Sequence, residues 1–212
     1  MSANLMIRRP FEDEYEGGKH EITGYRFDGK NGKSKIPFKP LIANNEIIGH
    51  DSKVATAIGI YLNIASSKVY HNSVYLSAID ENRLRAMVIT PSSKQKIDVQ
   101  NNIFVVNTTA QNSSAIQLTA TATADLQTLN VNNNVYYCQQ NGFLRASGGV
   151  TTAANTEITL AQWNGYVPSD KGSIEIMPLF FDNSRLGLVN TAGLGCPYLS
   201  SVPYDRDSTL RG

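Results

Sequence analysis

Lys94, Lys96 and Asp98 alternate along five residues of a 212-residue chain. On a β-strand that spacing lines all three side chains on one face. An amine beside a carboxylate is a pair suited to moving protons; an ordinary charged sheet edge would read the same way. The other carboxylates that could take part are Asp51, Asp80, Glu81 and Asp125, and no Asp-Asp pair occurs. His20, His50 and His71 lack a His-x-x-x-His spacing, and His71 is expected to be a turn or surface residue. Cys138 and Cys196 have no CxxC or metal-type spacing, so one disulfide or two unrelated thiols are the options. Nucleophile-elbow, phosphate-loop and dinucleotide signatures are all missing, and Gly193-Leu194-Gly195-Cys196-Pro197 is loop punctuation. No cofactor is expected from these residues.

Composition narrows the partner. The net charge is +1 with 17% charged residues, which gives no global field to draw in nucleic acid or an anionic membrane. The densest basic cluster, Lys30, Lys33, Lys35 and Lys39, is broken by Gly32 and Pro37 and is expected to be a solvated loop. No run of 18 apolar residues exists, so no membrane insertion is expected. Residues 1–10 do not have the order of a secretory signal. Asn, Ser, Thr and Gln must supply the polar surface, a mix that suits strands and tight turns.

The elements that would position such groups come from a repeat. Asn followed by any residue, then Ile or Val, then a large apolar residue begins at Asn45, Asn72, Asn101 and Asn133. The intervals are 27, 29 and 32 residues. Strand-like runs precede three copies, at Ala57 to Leu62, Arg85 to Ile89 and Ser114 to Leu118. Short strands also lead into the Asn, as at Ile97 to Gln100 and Leu129 to Asn132. Units of about 30 residues cannot bury an apolar face alone, so they must stack. Asn tolerates the left-handed backbone of a sharp corner and can bond the amides above and below it. A structural ladder of Asn45, Asn72, Asn101 and Asn133 is therefore expected.

One position per unit, held by Ile48, Tyr75, Phe104 and Tyr136, forms a column of large side chains. Simple alternation after the Asn turns it outward, where Tyr75, Phe104 and Tyr136 would bind sugar rings or a partner. The alternatives are a column packed on itself, covered by a loop, or turned into the core by a parity shift at the corner.

Val69-Tyr70-His71-Asn72-Ser73-Val74-Tyr75-Leu76 and Ile97-Asp98-Val99-Gln100-Asn101-Asn102-Ile103-Phe104-Val105 resemble the coil motifs of right-handed parallel β-helix proteins. This is the pectin-lyase-like superfamily, and the likeness is greatest to uncharacterised exported or surface proteins of Bacteroidetes type. Leu160-Ala161-Gln162-Trp163, Asp170, Ser173-Ile174 and Pro178-Leu179-Phe180-Phe181-Asp182 resemble the segment that follows the last regular coils. The resemblance covers roughly residues 40 to 190. It implies an all-β solenoid of about six coils: an irregular lead over 1–40, regular coils over 41–145, and closing coils over 146–212. It implies an extracellular or cell-surface setting, with the export signal outside this sequence. Fold likeness alone leaves function open.

The expected function is a non-catalytic, monomeric module, glycan-binding or structural, with polysaccharide as the candidate partner. A polysaccharide lyase acting on acidic glycans is the first alternative. Lyases of this fold use a Lys or Arg base, often with Ca2+, which would draw on Lys94, Lys96 and Asp98. Hydrolases of this fold use clustered carboxylates, and their Asn-Thr-Asp, His-Gly and Arg-Ile-Lys signatures are missing here. A trimeric phage-fibre-like protein is the second alternative.

Overall fold

The structure, a computed structural model, describes residues 21–28, 41–49, 56–63, 66–78, 83–120, 123–139, 144–148, 156–181 and 186–203. Their elements are almost all short strands: β1 (Glu21–Asp28), β2 (Leu41–Ala43), β3 (Glu46–Gly49), β4 (Thr56–Asn63), β5 (Ser67–Tyr70), β6 (Ser73–Ser77), β7 (Arg83–Thr90), β8 (Ile97–Gln100), β9 (Ile103–Asn107), β10 (Ser114–Ala120), β11 (Leu129–Asn132), β12 (Val135–Cys138), β13 (Leu144–Gly148), β14 (Thr156–Ile158) and β15 (Ile174–Glu175). A 3-10 turn spans Thr123–Thr128, and the one α-helix among the described residues, α1, spans Leu160–Tyr166.

These strands form three sheets. Sheet A runs β1-β4-β7-β10-β13-β14, sheet B runs β11-β8-β5-β2, and sheet C runs β15-β12-β9-β6-β3. The chain visits A, B and C in turn, four times over, and every pairing is parallel except β13 with β14. That antiparallel strand ends the parallel run of sheet A. The strands fall where the repeat placed them, at β4, β7 and β10 in sheet A and at β8 and β11 in sheet B.

The inward faces merge into a single apolar core. Ile60, Leu62, Leu84, Met87, Ile89, Ile116 and Leu118 come from sheet A, Val69, Val99 and Val131 from sheet B, and Val74, Phe104 and Tyr136 from sheet C. Such residues dominate because strands covered on both faces must be apolar over most of their length. Sheet A loses strict alternation midway, where Ala86 and Met87 are both buried in the core. Small residues occupy that bend: a Cβ on Gly59 would lie 2.5 Å from Val74 Cγ1 and 2.7 Å from the Ala86 carbonyl oxygen.

The corner between sheets B and C is built from pairs of residues. Asn44, His71, Asn101 and Asn133 take positive φ of 60°, 54°, 59° and 53°. Their successors, Asn45, Asn72, Asn102 and Asn134, turn inward and form the ladder. Asn45 Nδ2 donates to Asn72 Oδ1 at 2.8 Å, Asn72 Nδ2 to Asn102 Oδ1 at 2.9 Å, and Asn102 Nδ2 to Asn134 Oδ1 at 3.0 Å. Each receiving Oδ1 also accepts the backbone N–H of the preceding rung.

The expected ladder is corrected at two of its four rungs. Asn101 and Asn133 are corner residues, and Asn102 and Asn134 are the rungs. Asn101 sends its Nδ2 to the Pro197 carbonyl at 2.8 Å. The physical reason is the division of labour at the turn. The first residue of each pair absorbs the left-handed backbone, a conformation Asn accepts at low cost, and only the second points into the stack.

The top of the ladder meets a buried polar cap. Asn134 N donates to Ser173 Oγ at 2.8 Å, and Asn134 Nδ2 reaches Tyr136 OH at 3.3 Å. Both paths converge on Asp170, which is wholly buried. It accepts from Tyr136 OH at 2.9 Å, from Trp163 Nε1 at 2.7 Å and from Ser173 Oγ. Burial raises the Asp170 carboxyl above its ordinary value, and the bonds from Ser173, Tyr136 and Trp163 oppose that only in part. Trp163 arrives on α1, whose start is held by a capping box of Thr159 and Gln162. Gly172 has to be small here, since a Cβ would sit 2.1 Å from Asn133 Oδ1.

The ladder and its cap make stability predictions of different kinds. Asn102→Ala strips buried amide partners from rungs on both sides and is expected to cost about 3 kcal/mol. Asn101→Gly keeps the positive φ and loses one bond, for under about 1 kcal/mol. Urea midpoints of the two variants check the order, and equal losses would contradict the assignment of the rungs. Asp170 binds its proton more tightly folded than unfolded, so its contribution to stability is fully present below the unfolded carboxylate pKa of about 3.9 and is lost as pH rises through the higher folded value. Asp170→Asn is expected to flatten that part of the stability–pH curve. Asp170→Ala leaves three buried donors without their acceptor and should cost more than about 3 kcal/mol at any pH.

Candidate functional site

The outward face of sheet B carries the polar side chains that the repeat brings into line. Register places Lys68 of β5 beside Asp98 of β8 and Asn130 of β11, and Tyr70 beside Gln100 and Asn132. Strand alternation explains the row: the neighbours Val69, Val99 and Val131 are fully buried, so the residues flanking them face out.

Asp98 sits at the centre. Its carboxylate accepts from Tyr70 OH, from Gln100 Nε2 at 2.6 Å and from Asn130 Nδ2 at 3.0 Å. Lys68 Nζ lies 5.9 Å from the centre of the Tyr70 ring, within reach of a cation–π contact. Burial and the adjacent Asp98 carboxylate push the Tyr70 phenol well above its ordinary pKa. Tyr70 therefore holds its proton at neutral pH and cannot serve as a base there.

Lys96 and Asp98, together with Ile97, Gln127, Thr128, Leu129 and Asn130, line an open depression of about 340 Å³. Lys94 is exposed on the preceding turn and does not line it. Thus two of the three candidate proton-transfer residues converge on one cleft. The third is set apart on the exposed turn before β8. Asp125 is structural, its Oδ1 accepting the Ser93 backbone N–H at 2.9 Å. Asp51, Asp80, Glu81, His20 and His50 lie outside the described residues. His71 is a corner residue at positive φ.

The expected aromatic binding column is corrected. Register aligns Ile47, Val74, Phe104 and Tyr136 on one position and Ile48, Tyr75, Val105 and Tyr137 on the next. The first set faces the core, where the Phe104 and Tyr136 rings stack 6.2 Å apart, 11° from parallel. Both are wholly buried. Tyr75 belongs to the outward set but is covered. Phe180 meets its ring edge-on at 6.0 Å, and Leu186 packs beside it and Val105. Counting from Asn101 and Asn133 in place of Asn102 and Asn134 shifts two copies by one residue, which on a strand exchanges inside for outside.

Apart from Lys96 and Asp98, the polar row and the cleft beside it do not stand out in the sequence. The signal that marks them is register: Lys68, Asp98 and Asn130 occupy equivalent strand positions. Among the described residues no cluster of three or more His, Cys, Asp or Glu side chains could hold a metal ion. Cys196 is exposed and Cys138 is partly buried. No helix among the described residues is long and apolar enough to cross a membrane.

In comparisons with known proteins, no family model, no curated protein and no solved structure matches the chain.

Proposed function

We propose that this chain is a right-handed parallel β-helix module of the pectin-lyase-like kind, exported or surface-borne, which binds polysaccharide along sheet B without cleaving it. The cyclic order of the strands, the amide ladder at one corner and the Trp163–Asp170 cap support the β-helix reading.

The observation that carries the binding reading is the polar row beside an open cleft, with Lys68, Asp98, Gln100 and Asn130 regularly placed on parallel strands and Lys96 lining the cleft just before β8. Adjacent strands repeat at roughly 4.8 Å, so the row offers donors and acceptors at a fixed pitch to a chain of hydroxyl groups. Near-zero net charge suits such a ligand better than a nucleic acid. Lys68 and Lys96 flank Asp98, which leaves the row receptive to a glycan that carries some carboxylates.

Lyase chemistry is the second reading, favoured by Lys96 and Asp98 sharing the cleft. It would take a Lys96 base and Ca2+ beside a uronate. Against it, Asp98 is already engaged by three donors.

The test is a panel of polysaccharides, uronates with Ca2+ included, incubated with the protein and sized afterwards, with binding measured in parallel by calorimetry. Unshortened chains and measurable binding to at least one glycan are expected. Lys96→Ala and Asn130→Ala, both surface changes, should each weaken that binding about fivefold to tenfold at an unchanged unfolding midpoint. Shortened uronate chains would replace this reading with the lyase. Binding indifferent to both variants would move the site off sheet B.

A further inference from the structure

The segment that covers sheet C is itself apolar on both sides. Its two arms pair antiparallel through Phe181 N–H to the Gly187 carbonyl at 2.8 Å, Val189 N–H to the Leu179 carbonyl at 2.8 Å, and a Phe180–Leu188 bridge. Alternation sends Phe180 and Leu186 down onto Tyr75 and Val105. It sends Leu179, Phe181 and Val189 the other way, where they are 65%, 70% and 54% exposed. A strand pair with one solvated face normally alternates apolar with polar. Leu179-Phe180-Phe181 has the continuous apolar pattern of a layer covered on both faces.

The exposed residues do not stop at the paired arms. Ile176 and Met177 lead into them, Tyr198 comes after, and these too are exposed. Of the described residues' large exposed hydrophobics, six of seven fall between 176 and 198. Leu179, Phe181 and Val189, on one side of the paired arms, present on the order of 300 Å² of side chain, within the range for the largest patch on a typical monomer. That is the apolar centre of an interface, of which a stable one buries roughly 800 Å² per partner.

The chemistry of the patch selects its occupant. Between residues 176 and 203 the charged side chains are Asp182 and Arg185, one of each sign, and from Leu186 to Pro203 there is none. Among the described residues of this segment there is no cation to attract an anionic membrane or a polyanion. An uncharged apolar face is compatible with itself, because a two-fold axis brings no like charges together. We infer that this face is the interface of a homodimer, a second copy of the chain laid with its Leu179–Phe181–Val189 face against the first. This departs from the monomer expected from sequence, and it does not depend on the glycan reading, whose row lies on a different sheet.

Sedimentation velocity of the whole chain across a concentration series tests it, with Phe181→Asp and Val189→Lys as outward variants. A dimer is expected for the unaltered chain. Each variant is expected to shift the midpoint of dissociation at least tenfold toward higher concentration, with circular dichroism and unfolding of the dissociated chain unchanged. Phe180→Ala, on the inner side, should instead lower the unfolding midpoint. A monomer at every concentration would overturn the inference and leave the face to a different protein. A trimer, or a dimer that both outward variants leave intact, would overturn it as well.

Discussion

A column of asparagine side chains has a direction. Each rung donates through Nδ2 to the Oδ1 of the next, from Asn45 through Asn72 and Asn102 to Asn134, so the column needs an acceptor at its far end. Asn134 Nδ2 donates to the Val99 carbonyl at 3.0 Å, and the two other routes out of Asn134 reach the same acceptor. Its backbone N–H goes to Ser173 Oγ, which donates to Asp170, and its Nδ2 goes to Tyr136 OH, which also donates to Asp170. The carboxylate is the terminal sink of a polar line that crosses an otherwise apolar interior. Burying a carboxyl group is costly unless it is hydrogen-bonded, and three donors converge on this one. The repeat, the corner and the closing helix are joined through that single group.

The same constraint fixes the geometry of the polar face. An inward amide at each corner between sheets B and C sets the register of the strands that enter and leave it. On a strand, register decides which residues face out. Lys68, Asp98 and Asn130 line up because Asn72, Asn102 and Asn134 do. The Tyr70–Asp98–Gln100–Asn130 network spans the three strands β5, β8 and β11 and is a consequence of stacking, not of any local motif. This is why its chemistry is invisible as a linear pattern.

How far the sequence can be read is set by the same physics. Strand positions and the repeat length are legible, because alternating apolar residues between turn formers have few other uses. The Asn-rich corner is legible as a corner. The choice between adjacent asparagines at 101–102 and 133–134 is not, since both types of site accept Asn for different reasons, one for its backbone and one for its amide. His71 is the useful clue. It precedes Asn72 and takes the corner conformation, which identifies the second residue of each pair as the rung. With that alignment, Phe104 and Tyr136 move into the core and the column of exposed aromatics dissolves. The cap residues Trp163, Asp170 and Ser173 are legible as a group but not as a network, because their common partner is the end of the ladder.

Ending a stack of parallel strands poses a problem that shapes both outer faces. The last strands of each sheet present bare edges, which would pair with other chains. Here β14 closes sheet A antiparallel. Ser169 Oγ takes up the Val131 backbone N–H at the edge of sheet B, and sheet C finishes on a two-residue strand. The chain then returns over sheet C, places Phe180 and Leu186 against Tyr75 and Val105, and reaches the corner where Pro197 accepts from Asn101. Covering that face satisfies Tyr75 but turns a second row of apolar side chains outward. On sheet B the outer side chains instead bond one another across the strands. The two outer surfaces therefore differ in kind: hydrogen-bonded polar side chains along sheet B, and apolar side chains on the paired arms over sheet C.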